Sequence, residues 1–349
     1  MTPPLVSFVL PTFRAARFLP ACLESIRRQD YPPDRYEILV ADGGSDDGTT
    51  DVARRFGAQL VPAGGLLAEA AKRRAFDAAR GDFIALVDAD NELRGTDWLA
   101  RATGALSRHP EALGFESYYF KHSSDSRLNQ YLTGLLQISD PLAAAIAGRP
   151  ELVSVEADGA QILRLPVDGS YPTGANGFLF RRDLLRELGE EPYHEAAFFP
   201  RLIRAGRRIL VKIPGCGVYH HYVTTWRDYF VKRQRAMILY LMRKRECPDT
   251  WEGERMRPRT ALAIAGHATL LWPLAQSIWR ALRSRDPDWL LHPAASAVST
   301  AAHVIGVVRY RRTRSRDAAQ ALSMQLSGPD RGSPAARPPS HRAGRGGTP

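Results

Sequence analysis

Cysteine is scarce in this chain: Cys22, Cys216 and Cys247 are the only three in 349 residues, and they lie far apart. They supply neither a disulfide framework nor a zinc-ligand spacing, which excludes the small stapled scaffolds and zinc modules and fits a reducing compartment. Met1-Thr2-Pro3-Pro4 lacks a basic segment followed by an apolar one, so no secretory signal is expected. No internal repeat appears. Acidic residues are in deficit, 37 against 48 Lys and Arg, for a net charge of +11. Part of that excess is local, because Arg311 to Pro349 holds eight arginines against Asp317 and Asp330. A basic balance of this kind is compatible with a nucleic-acid or anionic membrane partner.

What the chain does have is an ordered alternation. Leu5–Leu10 reads as a first strand, Phe18–Gln29 as an amphipathic helix and Tyr36–Val40 as a second strand. Thr50–Phe56 is a helix, Gln59–Val61 a short strand, Leu67–Ala79 a helix, Phe83–Val87 a central strand and Asp97–Arg108 a further helix. Such β-α alternation predicts an α/β fold with a parallel sheet covered by helices. The pattern weakens from Leu113 to Pro172. It returns with Phe178-Leu179-Phe180, a short helix at Arg182–Leu188, a longer one ending at Gly206, a strand at Arg208–Ile213 and a basic helix at Thr224–Lys244.

The densest stretch is Phe83-Ile84-Ala85-Leu86-Val87 followed by Asp88-Ala89-Asp90-Asn91-Glu92. Five largely apolar residues predict a strand buried on both faces, and the acids arrive where it leaves the sheet, the usual position of a ligand crevice. Asp88 and Asp90, two apart, can share a hard cation with phosphate oxygens. The plainer reading is an acidic turn that closes a strand. A second loop, Asp42-Gly43-Gly44-Ser45-Asp46-Asp47-Gly48-Thr49, ends strand two. Asp42 can accept from a nucleobase or ribose, whereas Asp46, Asp47 and Thr49 also read as a helix cap. No Gly-x-Gly-x-x-Gly follows strand one, which argues against a dinucleotide-dependent dehydrogenase.

Pro11-Thr12-Phe13, the Asp42–Thr49 loop, Gly81-Asp82-Phe83-Ile84 and Asp88-Ala89-Asp90, in this order, resemble the inverting family 2 glycosyltransferases of the GT-A fold over roughly residues 5 to 225. The resemblance implies a GT-A type, mostly parallel sheet and a nucleotide-sugar donor. It places Pro11, Thr12, Asp42, Lys72, Asp88 and Ala89 at the nucleotide. Asp90 then ligates a divalent ion, Mg²⁺ or Mn²⁺. Where the family often has a second acid after Asp42, this chain has Gly43; Lys72 stands where Arg is usual, with Arg73 adjacent. Thr173-Gly174-Ala175-Asn176-Gly177 resembles the loop beside the sugar and diphosphate, which brings in Gly174 and Asn176. His194-Glu195 followed by Arg201-Leu202-Ile203-Arg204-Ala205-Gly206 resembles the catalytic acid and its helix, so Glu195 takes the role of base, with Glu190 and Glu191 as nearby competitors. Of His220-His221, His220 is the better candidate for a second metal ligand. Gln276-Ser277-Ile278-Trp279-Arg280 reverses the last pair of the processive synthases' Gln-x-x-Arg-Trp, which favours transfer of single sugars.

Three regions are expected: a catalytic domain over 1–225, a basic helix with an apolar helical pair over 226–312, and a disordered basic tail over 313–349. The apolar stretches Ala261–Leu282 and Trp289–Val308 approach the roughly 20 residues needed to cross a bilayer, but both carry polar residues. An interfacial or re-entrant hairpin is favoured over two spans, with a packed soluble hairpin as the plain alternative. Basic flanks place both ends, and the catalytic domain, on the cytoplasmic face of the cell membrane, next to a lipid-linked or envelope hydroxyl acceptor. The competing reading is a non-catalytic basic protein. It would bind nucleic acid or anionic lipid through Lys232-Arg233-Gln234-Arg235, Arg243-Lys244-Arg245 and the arginine tail, although no nucleic-acid motif is present and nucleic acid is not an expected partner.

Overall fold

The computed structural model describes residues 2–189, 192–246, 258–313 and 316–326. Nine strands form one sheet in the order β3-β2-β1-β4-β10-β6-β11-β9-β8. They are β1 (Val6–Thr12), β2 (Tyr36–Asp42), β3 (Gln59–Pro62), β4 (Phe83–Leu86), β6 (Gly114–Glu116), β8 (Glu151–Val155), β9 (Gln161–Arg164), β10 (Phe178–Arg181) and β11 (Ile209–Lys212). Three more, β5 (Asn91–Leu93), β7 (Tyr118–Phe120) and β12 (Gly217–His220), make a small sheet in the order β5-β12-β7.

The expected mostly parallel sheet is in fact mixed. The β3-β2, β2-β1, β1-β4 and β6-β11 pairs are parallel, whereas β4-β10, β10-β6, β11-β9 and β9-β8 are antiparallel. Connection length accounts for one of these antiparallel pairs, β9-β8, and the other three join strands far apart in the chain. A parallel neighbour needs a crossover of a dozen or more residues, usually a helix. The first half of the chain has such helices. Residues 156–160, between β8 and β9, allow only a hairpin.

Helices α1 (Leu19–Arg27), α2 (Thr49–Arg55) and α4 (Trp98–Arg108) cover one face, α3 (Ala68–Ala78) and α7 (Glu195–Arg204) the other. The strand alternation shows in the cores. Phe8, Leu10, Phe83 and Ala85 join Leu23, Trp98 and Phe115 on the first face, while Val9, Ile84 and Leu86 join Phe76, Phe180 and Phe199 on the second. Each such large side chain contributes about 2 kcal/mol on burial. Gly81 precedes β4 because a Cβ there would stand 2.5 Å from the backbone nitrogen of Ser7.

The weak stretch 113–172 holds β6 to β9, a short helical turn α5 (Arg127–Asn129) that runs into a π-helix at Gln130–Leu135, and α6 (Pro141–Ile146). The basic helix is present as α8 (Trp226–Glu246). The first apolar stretch is two helices, α9 (Pro258–Ala268) and α10 (Leu271–Ser284), broken where Leu270 takes φ 59°. The second is a 3₁₀ turn at Pro287–Leu291 and α11 (His292–Arg312), which packs along α8. The unit Pro287–Arg312 is the one helix among the described residues long and apolar enough to cross a membrane.

Asp140 ties these helices to the body. It caps α6 through the Leu142 N–H and accepts from Arg233 of α8 at 3.1 Å, and from Ser299 and His303 of α11 at 3.0 and 3.1 Å. Within the expected disordered tail, Arg316–Gln325 forms a helix, α12. Ala319 and Leu322 pack against Ile238 and Met242 of α8, apolar burial that overrides the biased composition. Residues 327–349 lie outside the described part.

Candidate active site

The site lies where β1, β2 and β4 leave the sheet, at the edge closed by α7 and α8. Its first wall is the paired loops after β1 and β2. Asp42 spends both oxygens inside this wall: Oδ1 accepts from Thr12 and Ser45 hydroxyls at 3.0 and 2.6 Å, Oδ2 from the Gly44 and Ser45 N–H groups at 3.0 and 2.8 Å. Asp46 grips the Arg14 guanidinium through two 2.7 Å bonds, and Asp47 accepts from the N–H groups of Ala16 and Thr49. The three acids thus build the loop, and Asp42 meets Thr12 beside Pro11 at one rim.

The second wall is the turn after β4. Asn91, fully buried, accepts from the Asp88 N–H at 3.2 Å and donates to Asp90 at 3.3 Å, fixing the Asp88-Ala89-Asp90 turn. Sequence reasoning passed over Asn91, although its place after two acids at a strand exit is the signal that marks it. The small sheet pairs Asn91 of β5 with His220 of β12, so a residue 130 positions on arrives beside Asp90. His220 Nε2 stands 3.6 Å from Asp90 Oδ1, and its buried Nδ1 has no partner. His221 is committed elsewhere: Nδ1 bonds Asp125 at 2.7 Å and Nε2 bonds Glu92 at 2.8 Å. Those carboxylates push its pKa up to about 10 against the opposing effect of burial. Of the two histidines, only His220 is available to a metal.

Asp90 is also 3.6 Å from Lys232 Nζ of α8. Burial disfavours its charge, but His220, Lys232 and His221 outweigh burial and hold the carboxyl well below the ordinary range. No cluster of three or more His, Cys, Asp or Glu ligands exists among the described residues. Two ligands on one small divalent ion, each at about 2.1 Å, sit about 3 Å apart. Asp90 Oδ1 and His220 Nε2, 3.6 Å apart, are close enough for a small shift to let them share such an ion, with phosphate oxygens left to complete the shell. A cavity of about 250 Å³ opens beside Ala89, Asp90 and Asn91, bounded by Asp125 and Val223. A larger cavity of about 470 Å³, lined by Arg73, Arg181 and Arg186, touches none of the site residues.

The third wall carries Glu195, first residue of α7. Lys72, in α3 and 5% exposed, donates to Glu195 Oε2 at 2.7 Å and lies 3.5 Å from Asp88 Oδ1. Burial works against the Lys72 charge, yet Asp88 and Glu195 push its pKa above the ordinary range. Burial raises the Glu195 pKa; Lys72 pulls it down, Asp88 and Glu69 push it up, and the net shift is upward. Glu195 remains one-fifth exposed, open to a reactant. Glu69 is a further residue the sequence reading missed. It accepts from the Glu195 N–H at 3.1 Å, pairs with His194 at 3.2 Å and with Arg243 of α8 at 3.0 Å, so it fixes the start of α7. Arg73, by contrast, turns to Asp77 and the Gly189 carbonyl. Glu190 and Glu191 lie outside the described residues.

The loop 173–177 completes the enclosure. Thr173 and Tyr171 both donate to Glu116, at 2.8 and 2.7 Å, and Lys212 pairs with the same carboxylate. Gly174 has φ +106°, and a Cβ there would fall 2.1 Å from the Phe199 ring. Asn176 takes φ 47°, with its Oδ1 buried and unpartnered. The Gln276–Arg280 segment lies on α10, where Gln276 bonds His292.

Residues 7–164 match the family model described as Glycosyl transferase family 2. Glycosyltransferase AglE of Haloferax volcanii is 31% identical over 112 residues, 30% of this chain and 36% of that protein. A PGL/p-HBAD biosynthesis glycosyltransferase of Mycobacterium bovis is 34% identical over 115 residues, 31% of this chain and 44% of that protein. The chain therefore spans less than half the length of these curated relatives. Among solved structures, the mannosyltransferase PcManGT from Pyrobaculum calidifontis, in complex with GDP-Man and Mn²⁺, superposes with a TM-score of 0.53 at 18% identity, covering 90% of this chain and 89% of that one. That likeness is one of fold, and at 90% of the chain it extends past residue 164. Residues 7–164 thus match the family 2 glycosyltransferase model, and most of the chain shares its fold with that mannosyltransferase.

Proposed function

We propose that this chain transfers one sugar from a nucleotide-sugar donor to a hydroxyl acceptor with inversion, in a divalent-metal-dependent reaction, and that the acceptor is carried on a lipid or an envelope glycan. The observation that carries the reading is Lys72 Nζ, which stands between Asp88 of the acidic turn and Glu195 of α7. It puts a candidate base and a candidate nucleotide site on one buried cation.

Each residue's task follows from its chemistry. Pro11, Thr12 and the Asp42 loop form the rim for the base and ribose, with Asp42 acting chiefly by shaping that loop. Asp88 and Ala89 lie along the nucleotide. Asp90 and His220 would hold Mg²⁺ or Mn²⁺, which neutralises charge on the departing diphosphate. Gly174 lets the loop close on Phe199 and so holds Asn176 in place, and the unpartnered Asn176 oxygen accepts from one of the donor sugar's hydroxyls. Glu195 takes the acceptor proton as that oxygen attacks the anomeric carbon; the bond to the diphosphate breaks on the opposite face, and its electron pair leaves with the phosphate. Lys72 keeps Glu195 ionised until then. The reading of the chain as a non-catalytic basic protein is disfavoured because three basic groups of the clusters it relies on in α8 are spent inside: Lys232 faces Asp90, Arg233 pairs with Asp140 and Arg243 with Glu69.

A panel of sugar nucleotides, assayed for donor hydrolysis with Mn²⁺, tests this. Hydrolysis of at least one donor, abolished by EDTA, is expected; inertness toward all of them, together with no nucleoside diphosphate binding, would overturn it.

A further inference from the structure

Helix α10 is amphipathic the wrong way round for a helix of a soluble body. Its polar and small positions turn inward: Ser277 is buried and donates to the Trp289 carbonyl, and Gln276 bonds His292. Its large apolar side chains turn outward, with Leu271 72%, Trp279 58% and Leu282 76% exposed, and Trp272, Leu274 and Ile278 about half exposed. On α9, Leu262 continues the surface at 74%. Isolated exposed apolar residues need no explanation, but a contiguous face with two tryptophans does. The charge around it has one sign. Arg283 and Arg285 are exposed at the end of α10, and the acids that follow, Asp286 and Asp288, are already paired with Lys121 and Arg127.

We propose that α9 and α10 are a monotopic membrane anchor: α10 lies in the plane of an anionic leaflet with its Leu and Trp face in the acyl boundary and its arginines on the headgroups. Length excludes the alternative that this segment spans. Fourteen residues at about 1.5 Å each reach about 21 Å, short of the roughly 30 Å of hydrocarbon, and the chain is broken at Leu270. The longer α11 stays with the body, because Ser299 and His303 bond the buried Asp140 beside Arg233. The anchor is coupled to the site side of the molecule. Lys121, which holds Asp286 and Asp288, follows directly on β7, the neighbour of the strand that carries His220. Docking of α10 therefore sets the orientation of that sheet to the membrane. This stands independently of the glycosyl-transfer reading.

Flotation of the full-length protein with phosphatidylcholine vesicles, with and without phosphatidylglycerol, provides the test, alongside quenching of its tryptophan fluorescence by lipids brominated on the acyl chain. The parent is expected to float with the anionic vesicles and to be quenched by shallow bromines. A Leu271→Ser/Trp279→Ser/Leu282→Ser variant should lose vesicle binding at least about tenfold, with its circular dichroism and melting unchanged. Parent protein that stays unbound, or that binds without quenching, overturns the proposal. So does a parent dimer, measured by light scattering without vesicles, that the triple variant dissolves while vesicle binding persists, since the face would then belong to a second copy.

Discussion

Lys72 Nζ lies 2.7 Å from Glu195 Oε2, an ion pair between residues 123 positions apart whose cation is almost wholly buried. Removing one partner of such a pair leaves an uncompensated charge, so its members are tightly coupled. Lys72 faces Asp88 on the other side, at 3.5 Å, and a diphosphate held at the acidic turn would compete for the same amine. On the proposed reading, the state of Glu195 is therefore linked to occupancy of the donor site.

Glu195→Gln separates proton acceptance from binding. The amide keeps the shape and can still meet Lys72, so donor affinity should persist while turnover falls roughly 10²-fold or more. Turnover and nucleotide affinity measured on the same preparation check this; unchanged turnover would remove Glu195 from the base role.

The pH profile follows from the direction of the Glu195 shift. The base works only when ionised, and burial with Asp88 and Glu69 raises its pKa, so activity should fall with decreasing pH above the ordinary glutamate range. Lys72 is the group that lowers it. In Lys72→Gln, assayed at saturating donor, the acid limb of kcat should move to higher pH. A lower kcat with an unmoved limb would make Lys72 a packing residue alone.

Gly174→Ala tests the loop. Its φ of +106° is strained for alanine, and the added methyl would enter the Phe199 ring, so stability should fall by about 2 kcal/mol or more. Denaturant unfolding measures it, and a midpoint equal to the parent's would mean that the loop moves freely off Phe199.

Much of the fold was legible because its signals are local. The strand-helix alternation through residue 108 and the buried β4 come from periodicity, and the structure matches them to within a few residues. The direction of β8, β9 and β10 was not legible, since pairing in the second half is set by long-range packing and not by any local pattern. The same division holds at the site. Asp88, Asp90 and Glu195 stand at element ends, where chemistry-bearing residues draw attention. Glu69 and Lys232 sit among ordinary helix and charge patterns, and only tertiary contact shows what they hold. The apolar stretch 261–282 read as one segment because composition averages over Leu270, whose left-handed turn makes it two helices.

The most direct test of metal-dependent donor binding at the acidic turn is titration of a nucleoside diphosphate, uridine and guanosine forms in turn, into parent and Asp90→Asn protein, each with Mn²⁺ and with EDTA. The account predicts that Mn²⁺ tightens binding to the parent at least about tenfold and does nothing for Asp90→Asn, whose fold is intact by circular dichroism. Equal affinities in all four conditions would contradict it, leaving Asp90 as a structural acid that closes a strand.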